Sequence, residues 1–208
     1  MTAPPCCPRC GLDVHRAGPG SGWRCRTHGA VEPVTLHAPV PPGVIESSRL
    51  RGGAPLWTLW PSPPEWAVTG LALAGDVDQP ARATALAATG PAPLGGMAEL
   101  VLVAEEPGTG LGAGYAALAG PDPGSLPTGA PHATVRVDGH STAMWALPTR
   151  ADRCVHVGEA MGMWLWAVFW PAAAGLLLLE DLVLLDLREH LPGGLGFGPA
   201  SPYVRPGG

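Results

Sequence analysis

The sequence predicts an α+β body, mostly antiparallel β, preceded by a small cysteine-bearing module. Short apolar runs with a strand's alternation recur between residues 66 and 179, separated by Gly- and Pro-bearing turns. Only 111–118 and 181–190 have any claim to helix, and both are too short for repeated βαβ crossovers. Four of the five cysteines fall within the first 25 residues.

In chain order, residues 1–38 form the cysteine module. Residues 39–55 are a Pro/Gly/Ser-bearing connector without periodicity, read as a linker or irregular strap. The body runs over 56–190. Strands are predicted at 66–74, 81–89, 99–104, 132–137, 142–147, 153–157, 164–170 and 176–179, and the loop 90–96 makes the second and third an antiparallel pair. Residues 191–208 are Gly/Pro-rich and read as a flexible tail. Residues 161–179 form a 19-residue run without a charge, long enough to span a bilayer. Trp164, Trp166, Val168 and Trp170 nevertheless alternate with Leu165, Ala167 and Phe169, as in a strand buried on both faces, and Pro171 ends the run. The expectation is therefore no membrane insertion.

Apolar residues at 46% and charged ones at 14% give a globular balance. There are 30 glycines and 26 prolines, and all 12 basic residues are Arg, the bias of a GC-rich genome, so single glycine motifs carry little weight. Formal charge is −5, distributed unevenly. Residues 1–40 carry Arg9, Arg16, Arg24 and Arg26 against Asp13 and Glu32, while the rest of the chain is acidic. An acidic body argues against strong nucleic-acid binding, which needs many cationic contacts, and leaves only weak contact through the Arg-bearing module. Residues 1–8 lack the apolar core of a signal peptide, and an odd number of cysteines offers no disulfide framework, so a reducing cytoplasm is expected.

The cysteine spacing is Cys7-x2-Cys10, then Cys25-x2-His28. A two-residue gap lets a tight turn aim both side chains at one ion, and two such turns complete a tetrahedron that Zn²⁺ accepts. Gly11 and Gly29 follow the two turns, and Trp23 with Leu12 is the expected small core. Cys6 and His15 are alternative ligands. Four protein ligands leave no open position, so the expected zinc is structural.

Weaker signals lie in the body. The glycine-rich stretch 108–114 follows a strand and opens a helix, as phosphate-cradling loops do, but the dinucleotide spacing fails at Leu111 and Ala113 and the chain has no lysine. Glu105, Glu106, Glu159 and Asp181 are candidate acid/base carboxylates, and Cys154 with His156 share a strand face as a conceivable nucleophile pair. Trp57, Trp60 and Trp66 flank Pro61, Pro63 and Pro64, either as an aromatic platform or as a staple of strap to sheet.

The segments CPRCG…WRCRTHG, ARATALAATGPAPLGG, ELVLVAEEPGTGLGAGYA, GEAMGMWLWAVFWP and LLLLEDLVLLDLRE resemble an uncharacterised family of actinobacterial proteins with an N-terminal zinc-ribbon-like motif. The resemblance covers nearly the whole chain. Some relatives carry the name phosphotransacetylase; those enzymes are longer α/β proteins, and no segment here matches their fold. The resemblance also implies a soluble turn at 171–175. The leading expectation is a non-enzymatic cytoplasmic protein, with a structural zinc ribbon and a body that binds a protein or small-molecule partner. The alternative is an acyltransferase acting on an acyl phosphate, with 108–114 as anion site and Glu105 or Glu159 as acid/base.

Overall fold

Thirteen strands and two α-helices make up the described part of the chain in a computed structural model, which describes residues 4–207 except Ala17, Pro19 and Pro42. The first three residues and two others of the expected module, one of the connector and Gly208 of the tail therefore lie outside the described residues.

Three short strands, β1 (His15–Arg16), β2 (Trp23–Cys25) and β3 (Gly29–Ala30), form the module's antiparallel sheet in the order β1-β2-β3. After β4 (Val34–His37) comes α1 (Val44–Arg51), then β5 (Trp57–Leu59), β6 (Ala67–Ala74), β7 (Ala83–Pro91) and β8 (Met97–Glu105). A short helix, α2 (Leu111–Ala116), separates β8 from β9 (Ala133–Val137), β10 (His140–Leu147), β11 (Cys154–Ala160) and β12 (Met163–Trp170). A 3-10 helix over Ala172–Leu179 leads to β13 (Val183–Asp186). The ten strands from β4 onward form one sheet in the order β4-β6-β7-β8-β12-β11-β10-β9-β13-β5, antiparallel throughout except where β13 meets β9.

Strands β8 and β12 sit in the middle of this sheet and are buried on both faces, so their sequences read as unbroken apolar runs. On one face Leu100, Leu102 and Ala104 lie across from Phe169, Ala167 and Leu165. The far end of the sheet covers that face with Trp57, Leu59, Val135, Val137, Met144 and Leu184, so the sheet curls over its own middle. On the other face Val101, Val103, Trp166, Val168 and Trp170 are covered by α2, by Cys6 and Val34, and by Val204. Helix α1 caps a third cluster through Ile45, against Leu56, Leu71, Leu73 and Leu86.

Four predicted segments differ. Residues 181–190 form strand β13 and turns, not a helix: Leu184 and Asp186 are buried while Val183 and Leu185 are half-buried, the alternation of a strand between two neighbours. Residues 176–179 lie in the 3-10 helix that follows Pro171, with Leu177 and Leu178 packed on the core and no strand partner. The connector 39–55 contains α1, which buries only Ile45 and Ser48 and so shows no apolar stripe; Glu46 in its first turn and Arg49 and Arg51 in its last suit the helix dipole. Residues 191–207, read as a loose tail, are instead held to the body, 196–201 along β6: Val68 N–H donates to Gly196 O and Gly198 N–H donates to Val68 O, both at 2.8 Å. The run 161–179 becomes β12, a turn and the 3-10 helix, and no helix among the described residues is long and apolar enough to cross a membrane.

Gly112 lies directly against the Trp166 indole, and a Cβ there would overlap the ring. Trp166 is fully buried between α2 and the sheet and has no room to yield. Gly112→Ala should therefore lower stability by about 1–3 kcal/mol through overpacking, read as a shift of the urea midpoint at unchanged slope.

Candidate metal centre

The first turn of the module begins where the chain leaves the body. Cys6 N–H donates to Val34 O at 3.0 Å and Val34 N–H donates to Cys6 O at 2.8 Å, a bridge onto the edge of β4. Adjacent residues on extended backbone point opposite ways. Cys6 accordingly enters the body's core and Cys7 faces the module, both with no exposed surface. The chain then reverses, with Cys7 N–H donating to Leu12 O and Gly11 N–H to Cys7 O, and Gly11 takes the positive φ of 66° that this reversal needs. The second turn closes the β2–β3 hairpin, where Cys25 pairs with Gly29 at φ 73° and places His28 beside it.

These two turns bring Cys7, Cys10, Cys25 and His28 together, with all four ligand atoms within 4.8 Å of one another. Cys7 Sγ lies 3.4 Å from His28 Nδ1, Cys10 Sγ 3.6 Å from Cys25 Sγ, and Cys25 Sγ 3.8 Å from His28 Nδ1. A tetrahedral ion with sulfur at about 2.3 Å and nitrogen at about 2.0 Å spaces its ligands by roughly 3.5–3.8 Å. The set therefore fits one metal ion, and it is not a disulfide, since all five cysteines are free. Cys6 and His15 lie outside the group: Cys6 points into the body, and exposed His15 pairs with Arg24 across β1 and β2.

Electrostatics at the cluster differ from ligand to ligand. Burial pushes the Cys7 thiol up to about 12, against the backbone N–H groups of Arg9 and Cys10 that donate to its sulfur. Burial also opposes the Cys25 thiolate, but the N–H groups of His28 and Thr27, together with the Cys10 and Cys7 thiols, outweigh it and hold that thiol below its usual range. Each turn thus supplies two amides to its leading sulfur, which stabilises a coordinated thiolate. Burial, then Arg9, keeps His28 on the neutral side, the form that ligates. The module's small core is Cys7, Val14 and Cys25, with Trp23 and Val31 against it. Leu12 does not join; it is largely exposed, while the Trp23 indole N–H donates to Asp76 of the body at 3.0 Å.

The glycine-rich stretch proves to be the module's seat. Gly110 and Gly114, four residues apart, present bare backbone to Arg9 and Pro8 of the first turn, and Gly112 faces Trp166. Its anion-type donors are already used by the protein's own carboxylates. Leu111 and Gly112 N–H donate to Glu105 Oε2 at 2.7 and 3.2 Å, and Gly108 N–H donates to Asp122 Oδ1 at 2.7 Å. Nothing in the composition signalled that internal acids would fill this loop; the two carboxylates at 105–106 were the available hint.

The remaining candidates do not converge. Glu105 is fully buried, Glu106 accepts from Arg82 Nε at 2.8 Å, and Glu159 and Asp181 are exposed. Cys154 Sγ does lie 3.5 Å from His156 Nδ1. Burial raises the thiol, however, while burial and then His132 lower the imidazole to about 4, so the pair is neutral and lacks a thiolate. Trp57 and Trp66 are both buried in the sheet core, which is the staple reading of the Trp/Pro stretch.

Fold and site together define a strand-dominated α+β protein with a Cys3His cluster, able to hold a metal ion, on a small module docked to the sheet. The chain belongs to a family of unknown function, DUF6758, which matches residues 1–204. No curated protein and no solved structure matches it.

Burial raises the Glu105 carboxyl from 4.5 to about 7, against the N–H groups of Gly112 and Leu111 on α2. Ionisation is then easier in the unfolded chain. Stability is full below about 4.5, falls as pH rises to about 7, and is lower beyond by on the order of 3 kcal/mol. His156 slopes the other way, losing stability as pH falls from 6.5 towards 4. Glu105→Gln keeps an acceptor for Leu111 and Gly112 but cannot ionise. The difference in Tm between wild type and this variant should therefore grow from pH 5 to pH 7.5, the variant becoming the more stable.

Proposed function

We propose that this is a non-enzymatic cytoplasmic protein in which zinc at Cys7, Cys10, Cys25 and His28 holds the N-terminal module against a body that binds a protein or small-molecule partner. The observation that carries the reading is the four-ligand set itself, with spacings suited to a tetrahedral ion and no position left for substrate. Three thiolates and an imidazole favour zinc over harder cations. Such a site carries about −1, so the nearby arginines balance it first and leave little attraction for phosphate backbones. The acyl-phosphate alternative needs donors in the 108–114 loop that Glu105 and Asp122 already occupy.

Purified protein should contain one zinc per chain, and cobalt in its place should give the thiolate charge-transfer bands of a sulfur-rich tetrahedral site. Cys25→Ser should abolish stoichiometric binding and lower stability by on the order of 4 kcal/mol at saturating metal. Metal-free protein with an unchanged Tm in Cys25→Ser would remove the proposal. Phosphate-dependent acyl transfer to coenzyme A, lost on Glu105→Gln, would replace the binding reading with the enzymatic one.

A further inference from the structure

The turn that carries Cys7 and Cys10 touches a second segment, far away in sequence. Arg205 Nε donates to Gly11 O at 2.8 Å, and its Nη2 pairs with Asp13 Oδ1 at 2.8 Å. A Cβ on Gly11 would run into the Pro206 carbonyl, and one on Gly207 would overlap the backbone of Cys10. Gly207 N–H donates to Gly114 O at 3.2 Å. Residues 205–207 are thus packed between the metal turn and α2, with bare glycine backbone at each close approach.

The residues just before hold a different surface. The Tyr203 ring stacks on Trp170 at 4.7 Å, and Val204 is buried against Gly70, its carbonyl accepting from the Tyr115 hydroxyl at 2.5 Å. Tyr203 and Val204 therefore cover part of the apolar face of the central sheet, while 205–207 depend on the shape of the metal turn. One stacked ring and one valine are modest anchors, a few kcal/mol together.

We propose that the metal centre latches the segment 203–207: loss of the ion relaxes the Cys7–Gly11 turn, frees this segment and uncovers Trp170 and Tyr115, while the ten-stranded sheet stays folded. The proposal rests on the metal reading above and goes beyond it. The ion then controls access to a buried aromatic surface rather than only stabilising a module. The sheet does not need the ion, because its hydrogen-bond ladder and its two main apolar clusters are built almost wholly from residues after 30. Linkage makes the coupling reciprocal: whatever weakens the segment must weaken metal binding by the same factor.

Hydrogen exchange on the full chain, zinc-loaded and after chelation, tests this. On zinc removal, exchange in peptides spanning 201–207 should rise about tenfold or more, while peptides from β8 and β12 keep their protection. In the reciprocal arm, Arg205→Ala should lower zinc affinity about tenfold in competition with a chromophoric chelator. Unchanged exchange at 201–207, collapse of protection across the whole sheet, or unaltered zinc affinity in Arg205→Ala each overturns the latch. Failure to take up zinc at all would instead sink the metal reading, and the latch with it.

Discussion

One peptide bond joins the two halves of this molecule in a way that constrains both. Between Cys6 and Cys7 the chain is extended, so consecutive side chains leave in opposite directions. Cys6 is committed to the core beneath α2, and Cys7 to the Cys3His cluster. The paired hydrogen bonds between Cys6 and Val34 fix the register of that strand on the edge of the sheet. A slip by one residue would send Cys7 into the core and Cys6 to the cluster, so the register is set by two unlike environments at once. The module is therefore docked at the atom level and is not a bead on a linker.

The glycines of the second contact obey the same logic. Close approach of two backbones excludes a Cβ, and here it happens on both sides of one short helix. Gly110 and Gly114 meet Arg9 and Pro8, and Gly112 meets Trp166. Alternate glycines over 110–114 make α2 thin enough to sit between the metal turn and the sheet. Glu105 completes the arrangement by accepting from the first two N–H groups of α2, which have no intrahelical partner. A buried carboxylate is costly, but here it stands where the helix dipole favours negative charge.

Much of this was legible in the sequence, and for identifiable reasons. The grouping of Cys7, Cys10, Cys25 and His28 was readable because two-residue gaps encode tight turns irrespective of what surrounds them. The central strands were readable because burial on both faces writes itself as a continuous run, as in ELVLVA and WLWAVFW. The edge elements were not. β13 looked helical because its leucines are contiguous and its period-two burial appears only once β9 and β5 flank it. Helix α1 left no stripe because it buries little beyond Ile45. The segment 191–207 was hidden by its own composition: Gly and Pro erase periodicity, yet its backbone still finds partners along β6. The glycine stretch was visible but ambiguous, since a cradle for an anion and a seat for a neighbouring backbone demand the same missing Cβ.

That ambiguity resolves through charge, and the same argument bears on where the Cys3His cluster stands. A loop that binds phosphate must keep its N–H groups free and its surroundings positive. In this chain the loop's N–H groups point at Glu105 and Asp122. The nearby guanidinium of Arg82 is divided between Glu32 and Glu106, at 2.8 Å from each. Arg16 is paired with Asp76 and lies over the Trp23 ring. The charges of Arg16 and Arg82 are thus met inside the protein, and the Arg16–Asp76 and Arg82–Glu32 pairs draw module and body together instead of facing an external anion. Any thiolate formed in the Cys3His cluster would add negative charge at that junction, beside Arg9. The Cys3His cluster and the docking surface thus share one charged junction, where arginines and acids of module and body meet.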